Sequence, residues 1–182
     1  MKNKNVLNIA LSALFLALCM VLPFLTGQIP EIGKMLLPMH IPVLLCGLIC
    51  GPQYGLIVGA IAPIMRSLIF STPVMYPHAI NMAFELAAYG FIIGLIYSKS
   101  KKKSIVTLYS SLIISMLLGR VVKGISQAIL LGLGDQDFTI SMFISGAFAN
   151  AIPGIVLQLV LIPAVMLILN KTYFRNKNKK DG

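Results

Sequence analysis

Charged residues are nearly absent from most of this chain, and this absence constrains its fold more than any other feature. Basic residues gather at the start, within residues 99–103 and in the tail after residue 170. The stretches between them consist mainly of Leu, Ile, Val, Ala, Met and Gly, and they are long enough to cross a lipid bilayer. With 58% hydrophobic and only 11% charged residues, the chain is too apolar for an ordinary soluble domain. The sequence therefore predicts an integral membrane protein.

We predict an all-α fold, a single membrane domain over residues 1–182 with six transmembrane helices. The second segment is short and contains Pro38 and Pro42, so we expect it to be bent or broken. The first segment has the basic start of a signal peptide, but no small-residue cleavage site follows it, and we expect it to be retained. The six predicted spans are residues 6–26, 35–50, 53–71, 77–97, 104–131 and 138–169.

The distribution of charge predicts the orientation of the chain. With six spans, the N-terminus, the basic cluster at 99–103 and the basic tail all lie on one side, which should be the cytoplasm. The opposite loops, at 27–34, 72–76 and 132–137, carry one lysine and three acidic residues. We therefore predict both termini inside a bacterial cytoplasmic membrane. The net charge of +10 does not indicate nucleic-acid binding, because the basic residues cluster at segment ends.

Small residues recur at helical spacing and predict close packing between helices. Ala13 and Ala17 lie one turn apart in the first segment, and their smooth surface suits either internal packing or docking on another membrane protein. The three cysteines are expected to be small packing residues. Glycines recur every four residues across the second and third segments and again in the fourth, at Gly47, Gly51, Gly55, Gly59, Gly90 and Gly94.

Polar residues at helical spacing give the strongest functional signal. In lipid, a polar face must look inward, towards other helices or a cavity. Residues three, four and seven apart share one helical face. Such faces occur in the fourth segment (His78, Asn81, Glu85), the fifth (Arg120, Lys123, Gln127) and the sixth (Asn150, Gln158).

The charged members of these faces predict an anion-binding site. Glu85 lies about 12 Å below the outer end of its segment and Lys123 at a similar depth, so we expect an ion pair. Arg120 should lie one turn deeper, and Arg66 nearer the outer end of the third segment. Pairing Glu85 leaves a surplus of positive charge that an anionic ligand would balance. Alternatively, Arg66 extends to the outer surface and a backbone carbonyl satisfies Arg120.

Several kinds of chemistry find no support in the sequence. The chain has two histidines and no HExxH motif, so we expect no zinc site, and we expect no cofactor. His40, between Pro38 and Pro42, is expected to be structural. The sequence has no nucleophile elbow or paired carboxylates, so we expect no enzyme. Without a Walker motif, any use of ATP must come from a partner.

Short motifs in a consistent order give the chain a family resemblance that covers nearly its whole length. They are the AxxxA pair of Ala13 and Ala17, LPMHIPVLL at 37–45, GPQYGL at 51–56 and NMAFE at 81–85. With six spans, this pattern resembles the substrate-binding S component of energy-coupling factor (ECF) vitamin transporters. The resemblance implies a vitamin pocket near the outer face, built from the outer ends of helices four to six and capped by residues 27–34.

The resemblance also implies partners and a transport cycle. The AxxxA surface would contact a transmembrane T component, two cytoplasmic ATPases would drive the cycle, and the S component would topple in the membrane. The chain has no tryptophan, and its surplus positive charge favours a carboxylate, so pantothenate is the favoured vitamin. Its hydroxyls and amide would use Asn81, Asn150 and Gln158. Pyridoxine and niacin remain open, as does a stand-alone secondary transporter or channel, although no convincing internal repeat is present.

Overall fold

A computed structural model describes residues 2–26, 35–100, 103–132 and 152–178, and the regular structure in these ranges is helical. A short 3₁₀ turn, Leu22–Thr26, follows the first helix, and a π-helical turn, Met75–Ala79, precedes the fourth. The α-helices are α1 (Lys2–Val21), α2 (His40–Cys50), α3 (Pro52–Phe70), α4 (Ile80–Lys99), α5 (Ile105–Gly132) and α6 (Ile152–Asn178).

Five helical stretches in the described ranges are long and apolar enough to cross a membrane, so the protein is a multi-pass membrane protein. The sixth predicted span begins outside the described residues, and α6 begins at Ile152. The six-span count and the orientation therefore stay predictions. The five stretches are Lys4–Leu25, Pro52–Phe70, Met75–Lys99, Ile105–Gly132 and Ile152–Leu169.

The second predicted span contains a short helix. Its helix, α2, has 11 residues and a length of about 16 Å, roughly half the thickness of a bilayer core. The break lies just before it, where Leu37 has a positive φ of 51°. Pro42 then falls in the first turn of α2, where a missing amide proton costs little. The predicted break is confirmed, and α2 is the helix that follows it within the predicted span at 35–50.

Helices α2, α3 and α4 pack together at the predicted glycines. A Cβ on Gly90 would collide with the backbone of Gly55, whose Cα would be 2.9 Å away. Gly47 and Gly59 likewise face the backbone of α4. Gly51 has a different role, because its φ of 105° ends α2 and turns the chain into α3. The repeated glycines thus act in packing, as predicted, apart from this one turn residue.

Helix α5 packs against α4 through a row of small residues that the sequence analysis did not single out. Ser111 and Ser115 are fully buried, and Gly119 continues the same face. Each serine hydroxyl donates to a carbonyl of its own helix, Ser111 to Leu108 at 2.9 Å and Ser115 to Leu112 at 2.8 Å. This local bonding satisfies the hydroxyls and leaves a smooth surface for α4.

Helix α1 lies at the edge of the bundle. Phe15 and Cys19 face the core, whereas Ala13 and Ala17 are exposed on the opposite side. The Asn8 amide donates to the carbonyl of Cys50 at 3.4 Å and ties α1 to the end of α2. The three cysteines are free thiols and are buried, as expected for packing residues.

Candidate functional site

Glu85 and Lys123 form a buried ion pair between α4 and α5. The Lys123 ammonium nitrogen lies 2.9 Å from Glu85 Oε2, and Glu85 is fully buried while Lys123 is 19% exposed. This pair was predicted from the similar depth of the two residues in their helices, and its presence confirms that the polar faces of α4 and α5 meet. A carboxylate removed from water needs such a partner, because an isolated buried charge is strongly unfavourable.

His40 joins the pair from a third helix. Its Nε2 lies 3.6 Å from Glu85 Oε1, slightly beyond hydrogen-bonding distance, and the ring is 1% exposed. The ring also packs edge-on against Tyr89, with centroids 5.2 Å apart. The sequence analysis assigned His40 a structural role and did not associate it with Glu85. The only sequence feature that pointed to this position was the predicted break beside Pro38, because α2 begins at His40 directly after it.

Arg120 adds a second cation to this cluster. It is 2% exposed and lies one turn before Lys123 in α5. Beside it, Gly119 allows the Tyr89 ring to approach α5, because a Cβ there would be 2.8 Å from two ring carbons. We refer to His40, Glu85, Tyr89, Arg120 and Lys123 as the polar cluster.

Asn81 and Ser126 extend the contact between α4 and α5. The Ser126 hydroxyl donates to Asn81 Oδ1, and it also lies 3.0 Å from the carbonyl of Lys123. Both side chains are buried. Ser126 was not predicted, since a single serine carries little signal in an apolar helix. Gln127, which was predicted, is half-buried one turn after Lys123.

In α6 the described part of the predicted polar face consists of Gln158. It is 1% exposed, and its amide nitrogen has no hydrogen-bond partner among the described residues. One turn earlier, Gly154 packs on the backbone that follows residues 27–34, since a Cβ there would be 3.0 Å from the Leu36 carbonyl oxygen. Asn150 and the predicted cap at 27–34 lie outside the described residues.

Arg66 is held by neighbours other than the polar cluster. Its Nη1 donates to the carbonyl of Met20 at 2.7 Å. Its guanidinium lies over the rings of Phe24 and Phe70, at 5.3 and 5.2 Å from their centroids. These contacts join the C-terminal end of α1 to the end of α3 and satisfy a buried cation. They are contacts within the bundle, and Arg66 is buried at 3% exposure rather than extended to the surface.

His78 does not share the buried face that its spacing predicted. It is exposed in the turn Met75–Ala79, whereas Asn81 and Glu85 are buried in α4. The residue with non-helical dihedral angles, Tyr76 (φ −115°, ψ 132°), precedes His78 and therefore does not change the spacing from His78 to Glu85. His78 lies in the turn ahead of α4, which begins at Ile80, and its side chain is exposed there. The expected inward position of His78 is therefore wrong.

The described residues contain no group of three His, Cys, Asp or Glu side chains that could hold a metal ion. A family model for the substrate-specific component of ECF transporters matches residues 7–168. Searches of curated proteins and of solved structures found no match. Because the family model covers most of the chain and agrees with its helical membrane fold, the chain belongs to the family of ECF transporter substrate-specific components.

Proposed function

We propose that this protein is the vitamin-binding subunit of an ATP-driven importer and that it captures a small carboxylate vitamin, with pantothenate favoured. Substrate-specific components are transporter subunits rather than enzymes, in agreement with this assignment. The observation that carries the proposal is the polar cluster. Its described members contribute one carboxylate, Glu85, and two side chains that are ordinarily cationic, Arg120 and Lys123.

The charge balance of the cluster favours an anionic ligand. Among the described members of the cluster, Lys123 and Glu85 form a pair that is close to neutral, and Arg120 adds a further cation. Net charge at membrane depth is costly and usually serves a ligand or an ion. A carboxylate would offset this charge, and the planar guanidinium suits two parallel hydrogen bonds to it.

The surrounding amides favour a ligand with further polar groups. Asn81 and Gln158 are buried, and with Asn150 they would bind hydroxyl and amide groups of the vitamin. The buried amide nitrogen of Gln158 is a donor for which a ligand carbonyl would be a suitable acceptor. Pantothenate combines one carboxylate with hydroxyls and an amide in a flexible chain. Niacin has the charge without those groups, and pyridoxine lacks the carboxylate.

Comparison of pantothenate with panthenol, its uncharged alcohol analogue, tests this proposal. We expect pantothenate to raise the melting temperature of the purified protein in detergent, because a ligand that binds only the folded state stabilises it by mass action. Saturation at a hundredfold excess over Kd corresponds to about 2.7 kcal/mol. The control is panthenol, in which a CH₂OH group replaces the carboxylate. Equal stabilisation by panthenol, or stabilisation by pyridoxine alone, would contradict the anionic site.

We also propose that α1 docks on the T component through Ala13 and Ala17, and that two cytoplasmic ATPases complete the importer. In support, both alanines are exposed on the outward face of α1. Small side chains permit the close backbone approach that membrane helices use in place of a hydrophobic driving force. We further propose that the chain is one membrane domain with both termini in the cytoplasm.

A bulky pair on this face should separate docking from vitamin binding. We expect Ala13→Trp with Ala17→Trp to abolish co-purification with the T component and uptake, while vitamin binding by the isolated protein persists. The matched control is Ile113→Trp with Leu117→Trp, an equally spaced and exposed pair on α5. If the alanine variant assembles normally, or if the α5 pair blocks assembly equally, the docking assignment is wrong.

A further inference from the structure

A small cavity lies at the opposite end of α4 from the polar cluster. It has a volume of about 50 Å³ and is formed where α4 ends, α5 begins and α6 passes. Tyr97 comes 12 residues after Glu85 in α4, a distance of about 18 Å along the helix. The cavity is therefore separate from the proposed vitamin site. Its lining includes Tyr97, Lys103, Ser104, Leu108, Met166 and Leu167.

One side of this cavity is polar and positively charged. Lys103 is exposed, and its ammonium nitrogen lies 5.5 Å from the centroid of the Tyr97 ring, a cation–π contact that places the lysine beside the cavity. Ser104 lies at the start of α5, where its hydroxyl oxygen accepts from the amide of Val106 at 3.1 Å. The positive end of the α5 dipole adds to the charge of Lys103. The polar side thus favours an anion.

The other side of the cavity is apolar and continues onto the surface of the bundle that faces lipid. Leu108 and Met166 are buried, at 4% and 5% exposure, whereas Leu167 is 55% exposed. Ile105, beside them, is 43% exposed. An anion next to an apolar surface that faces lipid is the chemistry of a phospholipid, in which the phosphate is joined to glycerol and acyl chains.

We propose that this cavity binds the phosphate of an anionic phospholipid, with Lys103 beside the headgroup and the apolar side against the glycerol and acyl chains. A free phosphate ion would not contact the exposed Ile105 and Leu167, whereas the acyl chains of a lipid would, so the lining favours the lipid. The location agrees, because Lys103 in the cavity lining belongs to the run of lysines at 99–103 in the sequence, and clustered lysines at a membrane surface attract anionic lipids. The proposal does not depend on which vitamin the protein binds.

Native mass spectrometry of the full chain, released from an uncharged detergent with added phosphatidylglycerol or phosphatidylcholine, tests this site. We expect phosphatidylglycerol to be retained at least threefold more than phosphatidylcholine. Lys103→Gln should remove this preference and Lys103→Arg should keep it. The matched control is Lys99→Gln, which removes an equal charge from an exposed lysine at the end of α4.

Three results would overturn the proposal. One is an equal loss of phosphatidylglycerol in Lys99→Gln and Lys103→Gln, since this would show general attraction to the basic cluster. Another is equal retention of the two lipids by the unaltered protein. The third is displacement of the bound lipid by inorganic phosphate at millimolar concentration, which would indicate a site for a free anion. Preference lost only in Lys103→Gln, and resistant to phosphate, supports the lipid site.

Discussion

Replacement of Glu85 by glutamine is expected to destabilise the protein by about 3–5 kcal/mol, the usual cost of removing one partner from a buried ion pair. The Lys123 ammonium group would stay within 2.9 Å of a neutral amide, at 19% exposure and beside Arg120. The loss should appear as a large decrease in the melting temperature of the ligand-free protein in detergent.

A second substitution distinguishes this electrostatic effect from a packing defect. In Glu85→Gln with Lys123→Met, the unpaired cation is absent, and most of the lost stability should return. Lys99→Gln, which removes an exposed charge, should change stability by no more than about 0.5 kcal/mol. If Glu85→Gln melts like the unaltered protein, or if the double variant is no better than the single, the buried pair is not a stabilising element.

Gly90→Ala is the second substitution with a large expected effect. The added methyl group would lie against the Gly55 backbone, with Gly55 Cα 2.9 Å away, and a backbone cannot move aside as a side chain can. Overpacking of this kind costs about 1–3 kcal/mol, and the rigid contact favours the upper end. We expect reduced yield of folded protein and a lower melting temperature, together with wider separation of α3 and α4.

Gly132→Ala is the matched control for this effect. Gly132 ends α5, and no atom of the described residues lies within 4 Å of the position that its Cβ would occupy. The added methyl group there should change stability by less than about 1 kcal/mol, in the stabilising direction, because alanine favours the helix. Comparable destabilisation by the two substitutions would show that close approach at Gly90 is not the cause.

Much of the helix packing could be predicted from the sequence because it depends on local spacing. Glycines four residues apart, such as Gly55 and Gly59, mark a helix face that accepts a neighbouring backbone. The length of α2 could not be predicted in this way. Hydropathy counts apolar residues, and residues 35–50 are apolar throughout most of their length, yet the positive φ at Leu37 ends the continuity of the helix.

The candidate site was predictable where it depends on position along a single helix. Glu85 and Lys123 were paired because each lies at a similar depth in its own helix, and they are in contact. His40 was not associated with them, because its position beside Glu85 depends on how α2 packs against α4, which no local spacing reports. His78 was predicted to face inward with Asn81 and Glu85, but it lies in the turn ahead of α4 and its side chain is exposed. Spacing along one helix does not report which of its turns the neighbouring helices cover, so both errors concern long-range packing.

Binding of pantothenate to the folded Arg120→Ala variant, measured by calorimetric titration, tests the central claim most directly. The account predicts affinity at least tenfold weaker than that of the unaltered protein, equivalent to about 1.4 kcal/mol. Lys99→Ala, which removes a cation outside the polar cluster, should bind as the unaltered protein does. Unchanged affinity in folded Arg120→Ala would contradict the claim that this cluster binds the carboxylate.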